Sequence, residues 1–385
     1  MTITISATGN YNPANGTGAD DRAAFQAAFD AAQDGDTIHL PAPQAGLGYR
    51  LGGPVVINKR VTVNLNHAEI YVTGIGAFSL LEGAGKCTIN NPKITGNRPG
   101  SPQTGFTIYS QYVHIQNGYL SDLNIGIDVT GGVWQTLKDM TMRNMVKGAV
   151  QLGNVVGTRV QNLKYDTDAG FPQPEFGLRI FGEGCVISDC DIIHAGICLL
   201  LETEPTRDNT WNFFNSCSFD TSPFGIVIRN NTSRKLAGQM FNNCWSASMG
   251  NAAVWIQGNQ AIDGVTFDGC HFLNNENHAI INEGNTNNVV ITGCQFGGNG
   301  VSAPNARFNI YSDSIGSKLI RSCTFGKYGQ TVGVVQSDLL RTARDGACVF
   351  SENWSDTSPS AGPVNGAGAS PLRYGINYGY ASPSR

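Results

Sequence analysis

Between residues 186 and 325 apolar and polar positions alternate in one recurring phrase: VISDCDI at 186–192, FFNSCSF at 213–219, MFNNCWS at 240–246, TFDGCHF at 266–272, VITGCQF at 290–296 and LIRSCTF at 319–325. Aligned, the phrases put Cys190, Cys217, Cys244, Cys270, Cys294 and Cys323 in one column, separated by 27, 27, 26, 24 and 29 residues. The residue three before the Cys, the Cys and the residue two after it are mostly apolar; those between are mainly Asn, Asp, Ser or Gly. One such unit cannot bury its apolar side alone, so the pattern predicts units stacked on one another.

The same register continues upstream without Cys. TINNPKI (88–94), HIQNGYL (114–120), TLKDMTM (136–142) and RVQNLKY (159–165) place Pro92, Gly118, Met140 and Leu163 in the column, and VNLNHAEI (63–70) places Ala68 there. A second alternation follows about ten residues after each phrase: GIDV at 126–129, GLRI at 177–180, GICL at 196–199, GIVI at 225–228, AVWI at 253–256 and AIIN at 279–282. Two or more short strands per repeat, joined by Gly and Asn bends, predict an all-β fold, a parallel β-helix of about eleven coils with equivalent strands about 4.8 Å apart.

Only one segment has helical periodicity. In DDRAAFQAAFDAAQDG (20–35), Phe25, Ala28, Phe29 and Ala32 form one stripe, Asp20 or Asp21 stands at the N-cap and Gly35 lies just past the end. A helix ahead of a β-stack is expected to cover its open end, whose strand edges would otherwise pair with other chains. The expected organisation is a lead-in and capping helix over 1–35, the parallel β-helix over 36–354 and a Gly, Ser, Pro and Tyr-rich tail over 355–385. The longest departures from the repeat, at 166–176, 202–211 and 230–239, fall in consecutive coils, where a rigid stack carries function on its loops.

Composition narrows the function. Net charge is −4, with charged residues at 14% and no Lys/Arg cluster, so a nucleic-acid footprint is absent. Ten Cys raise the question of disulfides, but six share one inward position, which fits a ladder of small buried thiols better than cross-links. MTITISATGN carries neither the basic nor the apolar part of a signal peptide, and no apolar run reaches the length of a membrane span. No metal-ligand spacing stands out, and neither a cofactor nor a membrane partner is expected.

The run G-x-G-A-D-D-R-A-A-F-Q-A-A-F-D-A-A, followed by G-D-T-I-H-L-P-A and Y-R-L, resembles the opening module of the pectate lyase-like superfamily over residues 16–51. That module is frequent in bacteriophage tailspike depolymerases and in relatives of the polygalacturonases. The resemblance implies a right-handed single-stranded parallel β-helix that acts on or binds polysaccharide, a homotrimer, and a place on a virion tail or outside a cell. PAPQAGLGY departs from the family's shorter P-A-G-x-Y. The N-T-D, D-D, G-H-G and R-I-K segments of the polygalacturonases and the W-x-D-H segment of the calcium-dependent pectate lyases are absent.

Outward positions of successive coils build ladders. One residue past the Cys column the row reads Lys164, Asp191, Ser218, Trp245, His271 and Gln295, with Asp166 and Asp220 two residues on. The second alternation contributes Arg179, Trp255 and Tyr311, then Arg229, Gln257 and Glu283, and beside them Glu202 with Glu204 in the loop beyond. Rings beside carboxylates, amides and guanidinium groups suit a glycan, and hydrolysis needs two carboxylates about 5–5.5 or 6.5–9.5 Å apart. The expected catalytic carboxylates are Asp191, Glu202 and Asp220, with Glu204 in reserve; the expected substrate contacts are Trp245, Trp255, Arg179, Arg229, His271 and Lys164. Asp189, beside the column, reads as a bend residue. Hydrolysis is preferred because carboxylates outnumber cationic bases in these coils. A uronate lyase or epimerase using Lys164, His194, Arg179, Arg229 or His271, a glycan-binding module without turnover, and a purely structural stalk are the alternatives.

Overall fold

The computed structural model describes residues 1–97, 102–300, 308–314, 316–326, 338–342, 348–355, 364–365, 372–374 and 376. The chain is a parallel β-solenoid of about eleven turns. It divides into two compact units, Met1–Val186 with Cys190–Ile192, and Ile187–Asp189 with Ile193–Arg385. In both, a coil runs through three short strands, called here faces A, B and C. Thr88–Asn90, Lys93–Thr95 and Thr104–Ile108 make one coil of the first unit; Phe213–Asn215, Ser218–Asp220 and Phe224–Arg229 make one of the second.

The register is the one the phrases predict. In the first unit Gly118 pairs with Met140 and Met140 with Leu163, and one position on Glu69 meets Lys93, Lys93 meets Tyr119 and Lys164 meets Asp191. In the second, Ser218, Trp245, His271, Gln295, Thr324 and Trp354 follow one another across the ladders. The column before them is therefore Cys217, Cys244, Cys270, Cys294 and Cys323. All ten cysteines are free and buried. In this unit each column thiol donates to a carbonyl of the preceding coil, from Cys217 to Ile187 (3.7 Å) through Cys270 to Phe241 (3.4 Å) to Cys323 to Ile291 (3.6 Å). Burial pushes the thiols of Cys87 and Cys185 up to about 12.

Between faces A and B each coil bends at the residue before the column. His67, Asn91, Asn117, Asp139 and Asn162 in the first unit, and Asp189, Ser216, Asn243, Gly269, Gly293, Ser322 and Glu352 in the second, all have φ between 50° and 62°. Asn, Asp and Gly tolerate this left-handed conformation best, which explains the polar pair that precedes the column in the sequence. The core inside is stacked Phe: Phe214 on Phe241 at 4.6 Å, Phe241 on Phe267 at 4.9 Å, and Phe296 on Phe325 at 4.9 Å.

The helix is Arg22–Ala31, with Phe25, Ala28 and Phe29 buried. Asp20 supplies the start, its Oδ1 accepting the N–H of Arg22 (3.1 Å) and of Gly52 (3.0 Å). Asp21 instead turns inward, accepting from Thr8 N–H (2.8 Å) and Thr8 Oγ1 (2.7 Å). The helix covers one strand edge of the first coil: Gln26 accepts from Val56 N–H (2.8 Å) and donates to Val56 C=O (3.1 Å). The other two edges are covered differently. Thr2–Thr4 pairs in parallel with Thr37–His39, while Tyr11 and Asp21 hydrogen-bond the backbone of Gly48 and Arg50. The end cover expected of the helix alone is thus shared among three segments. Within 355–385, Val364–Asn365 and Leu372–Tyr374 add parallel strands to Asp338–Thr342 and Cys348–Ser351. The rest of the expected tail lies outside the described residues, apart from Ser355 and Ile376.

Candidate functional site

Face B carries the first predicted row. In the first unit Lys164 and Asp191 are register neighbours, and both are exposed. In the second, Trp245 and His271 stack, with ring centroids 5.7 Å apart and planes 21° apart. Trp245 is 37% exposed, and His271 Nδ1 is buried without a hydrogen-bond partner. Asp220 stands two residues past Ser218 and so projects to the same side, in the strand adjacent to Trp245. Its carboxylate accepts from Thr221 Oγ1 at 3.0 Å and is half-buried. An open indole on the same face as a carboxylate of the neighbouring strand presents the two kinds of contact a sugar ring takes, a flat apolar surface and a hydroxyl acceptor.

Face C carries the second row. In the second unit Glu202 pairs in register with Arg229, and Arg229 with Gln257. Arg229 Nη2 and Nε donate to one oxygen, Glu202 Oε2, at 2.5 and 3.1 Å. Glu202 is buried, so this pair has little water to compete with it. A carboxylate held in this way is occupied as a hydrogen-bond acceptor for its neighbour. Trp255 lies under Phe224 (5.1 Å, 21°) and donates from Nε1 to Glu283 Oε2 at 3.0 Å. Glu204 sits in a tight turn bridged to Arg207.

In the first unit the face C row is Asp128, Gln151 and Arg179. Gln151 donates to Asp128 at 3.0 Å and accepts from Arg179 at 3.2 Å. The Arg179 guanidinium lies 4.8 Å from the Phe181 ring centroid and 5.8 Å from that of Phe176. Burial raises the pKa of Asp128 above the ordinary carboxylate value, against the lowering effects of Gln151, Lys147 and Arg179. Sequence reasoning missed Asp128, although GIDV places it in the row of Arg179.

The acidic residues between 166 and 220 separate into distinct tasks. Asp168 pairs with Arg143 and accepts from Asn144 Nδ2 at 2.9 Å, fixing the loop after Asp166 to the preceding coil. Asp189 is a left-handed bend, as expected. The structure brings together Lys164 with Asp191, Glu202 with Arg229, and Trp245 with His271; within the second unit Glu202 and Asp220 lie on different faces. Several exposed rings were also missed, Trp134 and Trp211 among them. Among the described residues no cluster of three or more His, Cys, Asp or Glu is arranged to hold a metal, and no helix is long and apolar enough to cross a membrane.

No family model matches the sequence, and no curated protein matches it. Solved structures do. The catalytic unit of a thermostable GH87 α-1,3-glucanase from Streptomyces thermodiastaticus aligns with a TM-score of 0.63 at 11% identity, over 99% of this chain and 69% of that one. A mutant tailspike protein of E. coli bacteriophage HK620, in complex with a pentasaccharide, gives 0.60 at 12% identity over 92% and 66%. The A-module of the mannuronan C-5 epimerase AlgE4 of Azotobacter vinelandii gives 0.56 at 13% identity over 98% of both chains. This chain spans 62% of the ORF18 protein of Geobacillus virus E2, with which it shares 15% identity and a TM-score of 0.53. The shared feature is the parallel β-helix fold.

Proposed function

We propose that this parallel β-helix is a polysaccharide depolymerase of the tailspike kind, cleaving a bacterial surface or extracellular polysaccharide by hydrolysis. The observation that carries the reading is the face B surface of the second unit, where the open Trp245 indole stacks on His271 and Asp220 projects from the neighbouring strand two residues past Trp245's register partner Ser218. A sugar ring on Trp245 brings its hydroxyls and glycosidic oxygen to the carboxylate side. The named activities of the structural neighbours, a glucanase, a tailspike holding a pentasaccharide and a mannuronan epimerase, lend weight to a carbohydrate ligand but not to one reaction. Homotrimeric assembly and a place on a virion tail belong to the same proposal.

Hydrolysis assigns one carboxylate to protonate the leaving oxygen and another to activate water or attack carbon. Asp220 is the first member. Within the same unit the second falls to Glu202 or Glu204, of which Glu202 is already engaged by Arg229. Arg229 and Trp255, in the same unit, extend the substrate contacts. The test is release of reducing ends from a panel of capsular and O-antigen polysaccharides, followed in parallel with the ultraviolet absorbance of an unsaturated uronate. Reducing ends without the chromophore, lowered about 100-fold or more by Asp220→Asn, support the proposal. Ends with the chromophore replace it by elimination, and an Asp220→Asn chain with full activity removes Asp220 from the machinery.

A glycan-binding module without turnover is the second reading. The engagement of Glu202 with Arg229 and of Asp168 with Arg143 and Asn144 favours it, because both reduce the supply of free carboxylates. Retention on a polysaccharide with no new ends from any member of the panel would establish it.

A further inference from the structure

Six residues before the members of the Cys column from Pro92 to Cys294 the backbone passes through a second left-handed corner, where face C hands over to face A. Its members are Lys86 (φ 68°), Tyr112 (54°), Trp134 (59°), Gly157 (70°) and Gly184 (63°) in the first unit. In the second they are Trp211 (59°), Gly238 (66°), Gly264 (72°) and Asn288 (55°). Gly and Asn are the residues this conformation favours, and a bulky ring is among those it disfavours most. Gly157 and Gly184 make the same turn as Trp134, so the turn itself does not require an indole. Strain of this kind, kept at one position and relaxed at its equivalents, points to a task outside the fold.

The surroundings indicate the task. Trp134 is half exposed and lies over Gly157, where a Cβ would come within 3.0 Å of Trp134 Cε3. The bare backbone of Gly157 thus forms the floor on which the ring rests. Tyr112 occupies the corner of the preceding coil, its N–H donating to Val133 as that of Trp134 does to Val156. Tyr109, Tyr112 and Val156 are exposed as well. Beside Tyr112 opens a pocket of about 440 Å³ whose lining includes Asp34, Arg60, Glu82, Lys86 and Gln111. Asp34 and Arg60 satisfy one another at 2.8 Å, while the side chains of Glu82, Lys86 and Gln111 bond no other described residue. Two acidic and two basic groups cancel, so the pocket favours an uncharged ligand recognised through hydroxyl groups rather than a polyanion or an acidic peptide.

We propose that Tyr112 and Trp134, with the pocket formed by Glu82, Lys86 and Gln111, make a second, non-catalytic binding site in the first unit for a neutral glycan. The indole-over-glycine corner recurs in the second unit. A Cβ on Gly238 would come within 2.4 Å of Trp211 Cε3, and Lys235 Nζ lies 6.0 Å from the centroid of the half-exposed Trp211 ring. The site rests on the proposed function only for the choice of probe.

The probe is a printed array of neutral bacterial polysaccharides, read with the full chain and with Trp134→Gly. That substitution removes the ring and gives the corner the residue its φ favours. The expected result is a Tm no lower than wild type, retention about tenfold weaker on each glycan that wild type holds, and unchanged release of reducing ends from short soluble substrate. Equal retention of the two chains overturns the site, as does wild type binding nothing on the array. A Trp134→Gly chain that sediments as a smaller species with retention intact also overturns it, and makes the corner a contact between copies of the chain. Failure of the proposed function shows separately, as wild type releasing no ends.

Discussion

Residues forced to a φ near 55° set the register of this chain, and their chemistry can be tested one at a time. At Gly293 (φ 60°) the nearest atom to an added Cβ is Asp268 Oδ1 at 3.7 Å, so Gly293→Ala introduces strain without a clash. It should lower stability by about 1 kcal/mol in a denaturant melt. The bends were legible in the sequence because Asn, Asp, Ser and Gly fill one position in coil after coil. Asp128 was not, because its distinction is burial, which depends on what packs around an outward position. Its folded pKa lies above the unfolded value, so the folded state binds the proton more tightly. The stability it contributes is complete below the unfolded pKa and is lost as pH rises through the folded one. Asp128→Asn keeps the acceptor for Gln151 and removes the titration. The stability difference between variant and wild type should therefore shift in favour of the variant as pH rises from about 4 towards neutrality, read from thermal melts of both; a difference independent of pH contradicts the raised pKa.

At the scale of elements, the three long departures in the sequence mark where strands give way to loops, but not what holds the loops. Between Arg229 and Leu236 the fully buried Asn230 does so: its Oδ1 accepts from Thr203 Oγ1 (2.7 Å) and Thr232 N–H (3.2 Å), and its Nδ2 donates to Ala261 (2.7 Å) and Arg234 (3.0 Å). Asn230→Ala leaves those groups without a buried partner and should cost about 2–3 kcal/mol, with faster proteolytic cleavage within 203–208 and 230–235 as the local sign. Trp134 and Trp211 were readable in principle, since both stand six residues ahead of the column, but only once the column is recognised as a ruler for other positions. The pairing of Glu202 with Arg229 was half legible. Both fall in one outward row, yet that they bind each other rather than a ligand is settled by side-chain packing.

For the molecule as a whole, the repeat disclosed the fold from sequence because every coil meets the same packing problem and answers it with the same residue types. The chemistry escaped the same treatment, since function depends on where coils differ. The three coverings of the first coil give a prediction at this scale. Deleting residues 1–32 uncovers the edges of Thr37–His39, Tyr49–Leu51 and Val55–Ile57 together. The shortened chain should associate in a concentration-dependent way on size-exclusion chromatography; a species of unchanged size at all concentrations would show that the coverings are dispensable. The order of events during synthesis also follows from them. The sealed end is made before the coils that follow it, so each later rung is laid on a template already closed on its other side. The same deletion should then slow refolding as well as permit association, because it removes the starting block from which the growth is directional.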